Sequence, residues 1–130
     1  MTTYCTYCSA HKIESNLALP AIELYKSKRI SHVHQLAQKV NAHFAILSGK
    51  YGLLEPNERI NYYDHLLTPE EVSEHAKLVA EQISSKKITE IVFYTNDVKE
   101  DPNVKAYIDC IAEACAETDT TFCLTFIQNV

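Results

Sequence analysis

The chain has 130 residues, 46% of them hydrophobic and 22% charged, which is enough for one domain with its own core and too few for two. Its 17 acidic residues outnumber 12 basic ones, a formal net charge of -5, and that balance argues against a protein whose main task is to coat nucleic acid. The two glycines, Gly49 and Gly52, are too few for a G-x-G-x-x-G loop and wrongly spaced for a Walker A loop.

No apolar run reaches the length of a membrane span, and residues 1–8 are too short and uncharged for a signal peptide. Five cysteines, an odd number, fit reduced thiols better than a disulfide framework. The expectation is a cytoplasmic protein without a membrane partner, of a host cell or of something that replicates there.

Along the chain, short β-branched or aromatic runs alternate with segments of helical period, the pattern of a parallel α/β sheet. Residues 3–8 read as a first strand, followed by a polar loop to about Leu19. Pro20 opens a helical turn through Tyr25, since proline is tolerated at the first helical position. Ser31 reads as the N-cap of a helix with Val33, Leu36, Ala37 and Val40 on one face. Residues 43–47 form a continuous apolar run of strand length, and residues 48–67 read as one long structured loop, the kind that tends to carry function.

Thr68-Pro69-Glu70-Glu71 has the hydroxyl cap, early proline and returning glutamate of a helix start. The helix it opens places Val72, Ala76, Val79, Ala80 and Ile83 on one face. Residues 88–94 predict a third strand, Asp101-Pro102 a further helix start with Val104, Ile108, Ile111, Ala112 and Cys115 inward, and residues 121–127 a fourth strand. The predicted fold is a single α/β domain, a Rossmann-like three-layer sandwich around a mainly parallel four-stranded sheet. Ligands of such sheets bind at the carboxyl ends of the strands, which directs attention to residues 9–12, 48–54 and 94–97.

Cys5, Cys8 and His11 are three soft groups for a metal ion. However, Cys5 and Cys8 lie three apart on a strand and point to opposite faces, and no second pair completes a tetrahedron. The expectation is therefore no metal and no cofactor. Cys110, Cys115 and Cys123 read as core thiols, whereas Cys8, at a strand end near Lys12, has a setting for reactivity. Among the histidines, His75 reads as a charged-surface residue and His65 as the one with a functional setting.

Ser48-Gly49-Lys50-Tyr51-Gly52 follows a buried strand directly, so its amides and the Lys50 ammonium can converge on an anion, with the glycines allowing close approach. The alternative is that the glycines only bend the chain. Tyr63 and Asp64 add an aromatic face beside a carboxylate, suited to a planar base and a hydroxyl or amine, or to packing a loop and capping a turn.

The string from Ile46 through Leu54 to Pro56, continued by Tyr63-Asp64, resembles the LSxxxGLL…P…PYD pattern of a small domain family found in bacteria and phages. Cys8-Ser9 with Lys12, and the PAxxLYxS-like run from Pro20 to Ser27, are similar to that family's companion motifs. Wider similarity reaches the YaaA peroxide-stress proteins and the archaeosine synthase and tRNA-guanine transglycosylase lineage. Ala10-His11-Lys12 stands where a lysine pair is usual, Asn61-Tyr62 replaces the residue and proline before Tyr63-Asp64, and residues 72–130 carry no matching polar motif.

The resemblance implies a Rossmann-like domain associated with nucleotides, modified bases or nucleic acid. On that reading a nucleotide or nucleoside-like ligand is held by Cys8, Ser9, Lys12, Ser48, Gly49, Lys50 and Gly52. Tyr25, Tyr51 and Tyr63 shape the base pocket, and Asp64 orients the sugar or acts on the glycosidic region. Binding alone, as in a phage protein that sequesters a nucleotide signal, and processing of the ligand are both compatible with this set. DNA binding, as in the longer relatives, is disfavoured by the acidic charge, and a homo-oligomer is compatible with the sequence.

Overall fold

In the computed structural model, which describes residues 1–127, the chain is an α/β domain whose mixed sheet has the strand order β4-β3-β1-β6-β7. The strands are β1 (Thr2–Tyr7), β3 (His43–Ser48), β4 (Gly52–Leu54), β6 (Glu90–Thr95) and β7 (Thr121–Phe126). A separate antiparallel ladder pairs β2 (Leu19–Pro20) with β5 (Arg59–Ile60). The helices are α1 (Ala21–Leu24), α2 (Lys28–Lys39), α3 (Val72–Lys86) and α4 (Val104–Glu117). Among the described residues no helix is long and apolar enough to cross a membrane.

Four strands fall where alternation and apolar runs predict them, and β1, β3, β6 and β7 pair in parallel. The fifth strand corrects the expected four-stranded sheet. β4 lies inside the stretch predicted as loop and pairs antiparallel to β3, Ser48 opposite Gly52 and Leu47 opposite Leu53. Its cause is local: Gly52 takes a φ of 76°, which lets the chain reverse within three residues, and the buried Leu53 and Leu54 then extend the core. Gln82 of α3 seals this edge, its Oε1 accepting from Leu53 N at 2.7 Å and its Nε2 donating to the Tyr51 carbonyl at 3.0 Å.

The helix predicted from Ser31 begins a turn earlier. Ser27 is the N-cap, its Oγ accepting from Ile30 N at 3.2 Å, and the buried face is Arg29, Ile30, Val33 and Ala37, with Val40 exposed. The Thr68 start forms as expected, with the Glu71 carboxylate accepting from Thr68 N–H at 2.9 Å ahead of α3. His75, predicted on an open surface, is half-buried and donates from Nε2 to the Ser48 carbonyl at 2.7 Å. The core lies between the sheet and the helices around Phe93, Ile91, Ile46, Leu47, Ile83 and Ile111.

A Cβ at Gly52 would run into the Gln82 amide as well as strain the backbone. Gly52→Ala should therefore cost about 2–4 kcal/mol, from the left-handed conformation plus the displaced hydrogen bonds. Urea unfolding checks this: Gln82→Ala alone should cost less, and Gly52→Ala should lose part of its penalty in the Gln82→Ala background.

Candidate functional site

β1 sits at the centre of the sheet, with β3 on one side and β6 on the other. The connection through α2 leaves β1 toward β3, while β6 begins the other half, so the strand order reverses between the parallel β1 and β6 and leaves a crevice at their carboxyl ends. A cleft of about 320 Å³ opens there, at the small end of the range for ligand pockets. Tyr7, Cys8 and Ser9 continue β1 into it, Asn96 enters from β6, and Tyr107 comes from α4. Lys12 and Asp64 are also in its wall.

Arg29 is the buried charge of this cleft, 7% exposed. Its Nη1 donates to Thr6 Oγ1 and to the Tyr7 carbonyl, both at 2.6 Å, and Nη2 donates to the Cys8 carbonyl at 3.4 Å. The guanidinium carbon lies 3.5 Å from the centre of the Tyr7 ring, a stacking contact that orients the fork. All these partners are neutral, and among the described residues Arg29 has no ion pair. Burial pulls its pKa below the usual value, opposed by Tyr7, Cys8 and Asp101. A desolvated cation whose fork is only partly used is a standing attraction for an anion entering the cleft.

Lys12 contributes a second cation. Its Nζ stands 4.7 Å from the Tyr63 ring centre and 6.0 Å from that of Tyr25, and an isolated bridge fixes its backbone against Tyr25. The two phenols hydrogen-bond to one another beneath it. Burial raises the pKa of both, so they act here as neutral hydroxyls. Tyr25 and Tyr63, 4% and 5% exposed, thus support Lys12 from below.

Of the residues expected to hold a ligand, the cleft gathers Cys8, Ser9, Lys12 and Asp64. The Ser48 segment is placed differently. Ser48 is fully buried, its Oγ accepting from the amides of Lys50 at 3.1 Å and Tyr51 at 3.0 Å. With its lone pairs so occupied, its proton points to Tyr63 Oη, 2.7 Å away. Two of the amides expected to face an anion, those of Lys50 and Tyr51, are thus engaged in a tight turn. Gly49 is buried because Tyr107 Oη and the backbone of Leu67 and His65 press on it. Gly52 lies under Gln82. Tyr51 packs edge-on against Tyr63, while Lys50 is exposed and borders a separate shallow depression with Tyr62, Tyr63 and Asp64.

His65 borders both hollows and pairs with Glu71 at 2.9 Å, an exposed contact. Among the described residues no group of His, Cys, Asp or Glu converges as a metal-holding set. Cys5, Cys110 and Cys115 are core thiols, but Cys123, expected there too, is exposed on the outermost strand.

Sequence reasoning missed Arg29, Tyr7, Tyr107 and Asp101, whereas Asn96 lies in the strand-end segment 94–97 to which it pointed. Arg29 had a signal: with Val33 and Ala37 it steps by four along one helical face, but a start at Ser31 leaves it outside the helix. A second signal is the absence of any acidic residue between Glu23 and Glu55, a stretch holding Lys26, Lys28, Arg29, Lys39 and Lys50.

The segment from Asp64 to Leu66 forms one wall of the cleft and is anchored by Tyr107, whose Oη accepts from Leu67 N at 3.1 Å and from the Cys8 thiol at 3.6 Å. Tyr107→Phe leaves a buried amide without an acceptor and should cost about 1–3 kcal/mol. The check is chemical denaturation together with hydrogen exchange, in which protection of the Leu67 amide should fall more than that of the β3 amides.

No curated protein and no solved structure matches the chain. A family model matches residues 6–121. The span takes in the end of β1, the cleft-forming segments and the whole of α4, so the chain belongs to the family of unknown function designated DUF6884.

Proposed function

We propose that the protein binds a nucleotide or nucleoside-like small molecule in the cleft at the carboxyl ends of β1 and β6. The observation that carries this reading is Arg29, a buried guanidinium on the cleft wall with neutral partners only. Lys12 at the same cleft adds an ammonium, and together they suit a phosphate. Asp64 and Asp101, in the same wall, suit the donors of a ribose or an exocyclic amine. Tyr7 and Tyr107, with ring centres 5.9 Å apart, supply an aromatic side to a space of nucleoside size. A Rossmann-like three-layer arrangement accords with this location, since α2 packs on β1 and β3 while α3 and α4 pack on one another.

Asp64 is the candidate for contact with the sugar or the glycosidic region. The cations of the cleft make binding the better supported half of the reading. A second reading, a nucleotide presented at the end of a nucleic-acid strand, draws on the acid-free stretch: Lys26, Lys28 and His32 border a hollow that adjoins the cleft at Ser27.

Calorimetry with a panel of nucleoside mono- and diphosphates tests both readings. The expected result is saturable binding to at least one member, weakened about 10- to 100-fold by Arg29→Met or Lys12→Met through loss of a charged hydrogen bond. Lys50→Ala, outside the cleft, should leave the affinity unchanged. No binding by the panel, or equal binding by Lys12→Met and the parent protein, overturns the assignment. Binding confined to oligonucleotides and steeply weakened by salt selects the second reading.

A further inference from the structure

The two edges of the sheet are finished in different ways. β4 is three residues long and its outward amide at Leu53 is taken up by Gln82. β7 is six residues long, Thr-Phe-Cys-Leu-Thr-Phe, with no charge, proline or glycine, and it pairs continuously with β6 from Thr121 opposite Glu90 to Phe126 opposite Thr95. It carries none of the charges, bulges or prolines by which proteins usually block an edge strand. Its outer side meets no strand among the described residues.

The direction of its backbone follows from two bonds. Thr121 N donates to Thr89 O and Ile127 N to Thr95 O, so the odd-numbered amides face β6. The amides and carbonyls of Phe122, Leu124 and Phe126 therefore face outward. The side chains of the same three residues share a sheet face with their partners Ile91, Phe93 and Thr95, and Phe126 is 57% exposed.

We infer that this edge is an interface with a second copy of the chain, in which β7 pairs antiparallel with β7 of its partner about a two-fold axis through Leu124. In that register Leu124 faces Leu124 of the partner subunit, and Phe122 faces Phe126 of the partner subunit. Two requirements narrow the choice. Antiparallel partners must lie on the same sheet face, and hydrogen-bonded pairs must be residues whose amides point at one another, so even-numbered residues must pair with even-numbered ones. Among such registers, the one centred on Leu124 sets the exposed Phe126 against Phe122 and pairs apolar with apolar. A strand without charge also lets two copies with a net charge of -5 meet without like-charge contacts along the strand. The inference is independent of what the cleft binds.

The register makes a covalent test available. Cys123 is exposed and faces Thr125 of the partner subunit, not its own copy, in a non-hydrogen-bonded pair with Cα atoms about 4.5 Å apart, within disulfide range. The parent protein should sediment as a dimer of 14.8 kDa chains that mild oxidation does not link. Thr125→Cys should become a linked dimer on non-reducing electrophoresis, and Thr121→Cys should not. Phe126→Lys, at an exposed position, should weaken dimerisation about tenfold or more while leaving the circular dichroism spectrum unchanged. A protein that sediments as a monomer at every concentration overturns the inference, as does a dimer unaffected by Phe126→Lys or linked equally well through Thr121→Cys.

Discussion

The contact between the Arg29 guanidinium and the end of β1 is the one on which the site depends. Thr6 Oγ1, the Tyr7 carbonyl and the Cys8 carbonyl all receive their hydrogen bonds from this side chain, and Thr6 in turn donates to the Tyr94 carbonyl at 2.8 Å. One side chain of α2 thereby fixes the last residues of the central strand and, through Thr6, the neighbouring end of β6. The same guanidinium remains charged in a desolvated place and, among the described residues, forms no ion pair with a carboxylate. Structural clamp and electrostatic lure are two consequences of one buried cation, because its hydrogen bonds to neutral carbonyls satisfy its geometry without cancelling its charge.

Around that clamp, a second polar network holds the other half of the domain without entering the cleft. Ser48 gathers two amides and the Tyr63 hydroxyl, Tyr63 reaches Tyr25, and both rings lie under the Lys12 ammonium. The motif residues of the first half of the chain are thus joined to each other more than to open space. Their polar atoms are buried, and a buried hydroxyl left without partners would cost more than its hydrogen bonds return. This explains why a segment so rich in polar groups acts mainly to place Lys12 and to turn β3 into β4.

The edges show the same economy of means with a different outcome. Gln82 closes β4 with two hydrogen bonds, while β7 keeps an uncharged flank with Cys123 and Phe126 in the open. A sheet edge is a row of unpaired backbone groups whatever its side chains. What separates the two edges is whether another element lies close enough to cover them.

By itself the sequence determined the local elements: the parallel strands near residues 3–8, 43–47, 88–94 and 121–127, and the helix start at Thr68, because alternation and capping are short-range signals. It also pointed to Cys8, Ser9, Lys12 and Asp64, which the cleft brings together. The partners of Ser48, the burial of Arg29 and the pairing of β4 were decided by the tertiary structure. Each depends on groups far apart in the chain, Arg29 on Thr6 and Tyr7, Gly52 on Gln82, Tyr107 on Leu67. Such meetings follow from strand order and helix packing, which no local period in the sequence encodes.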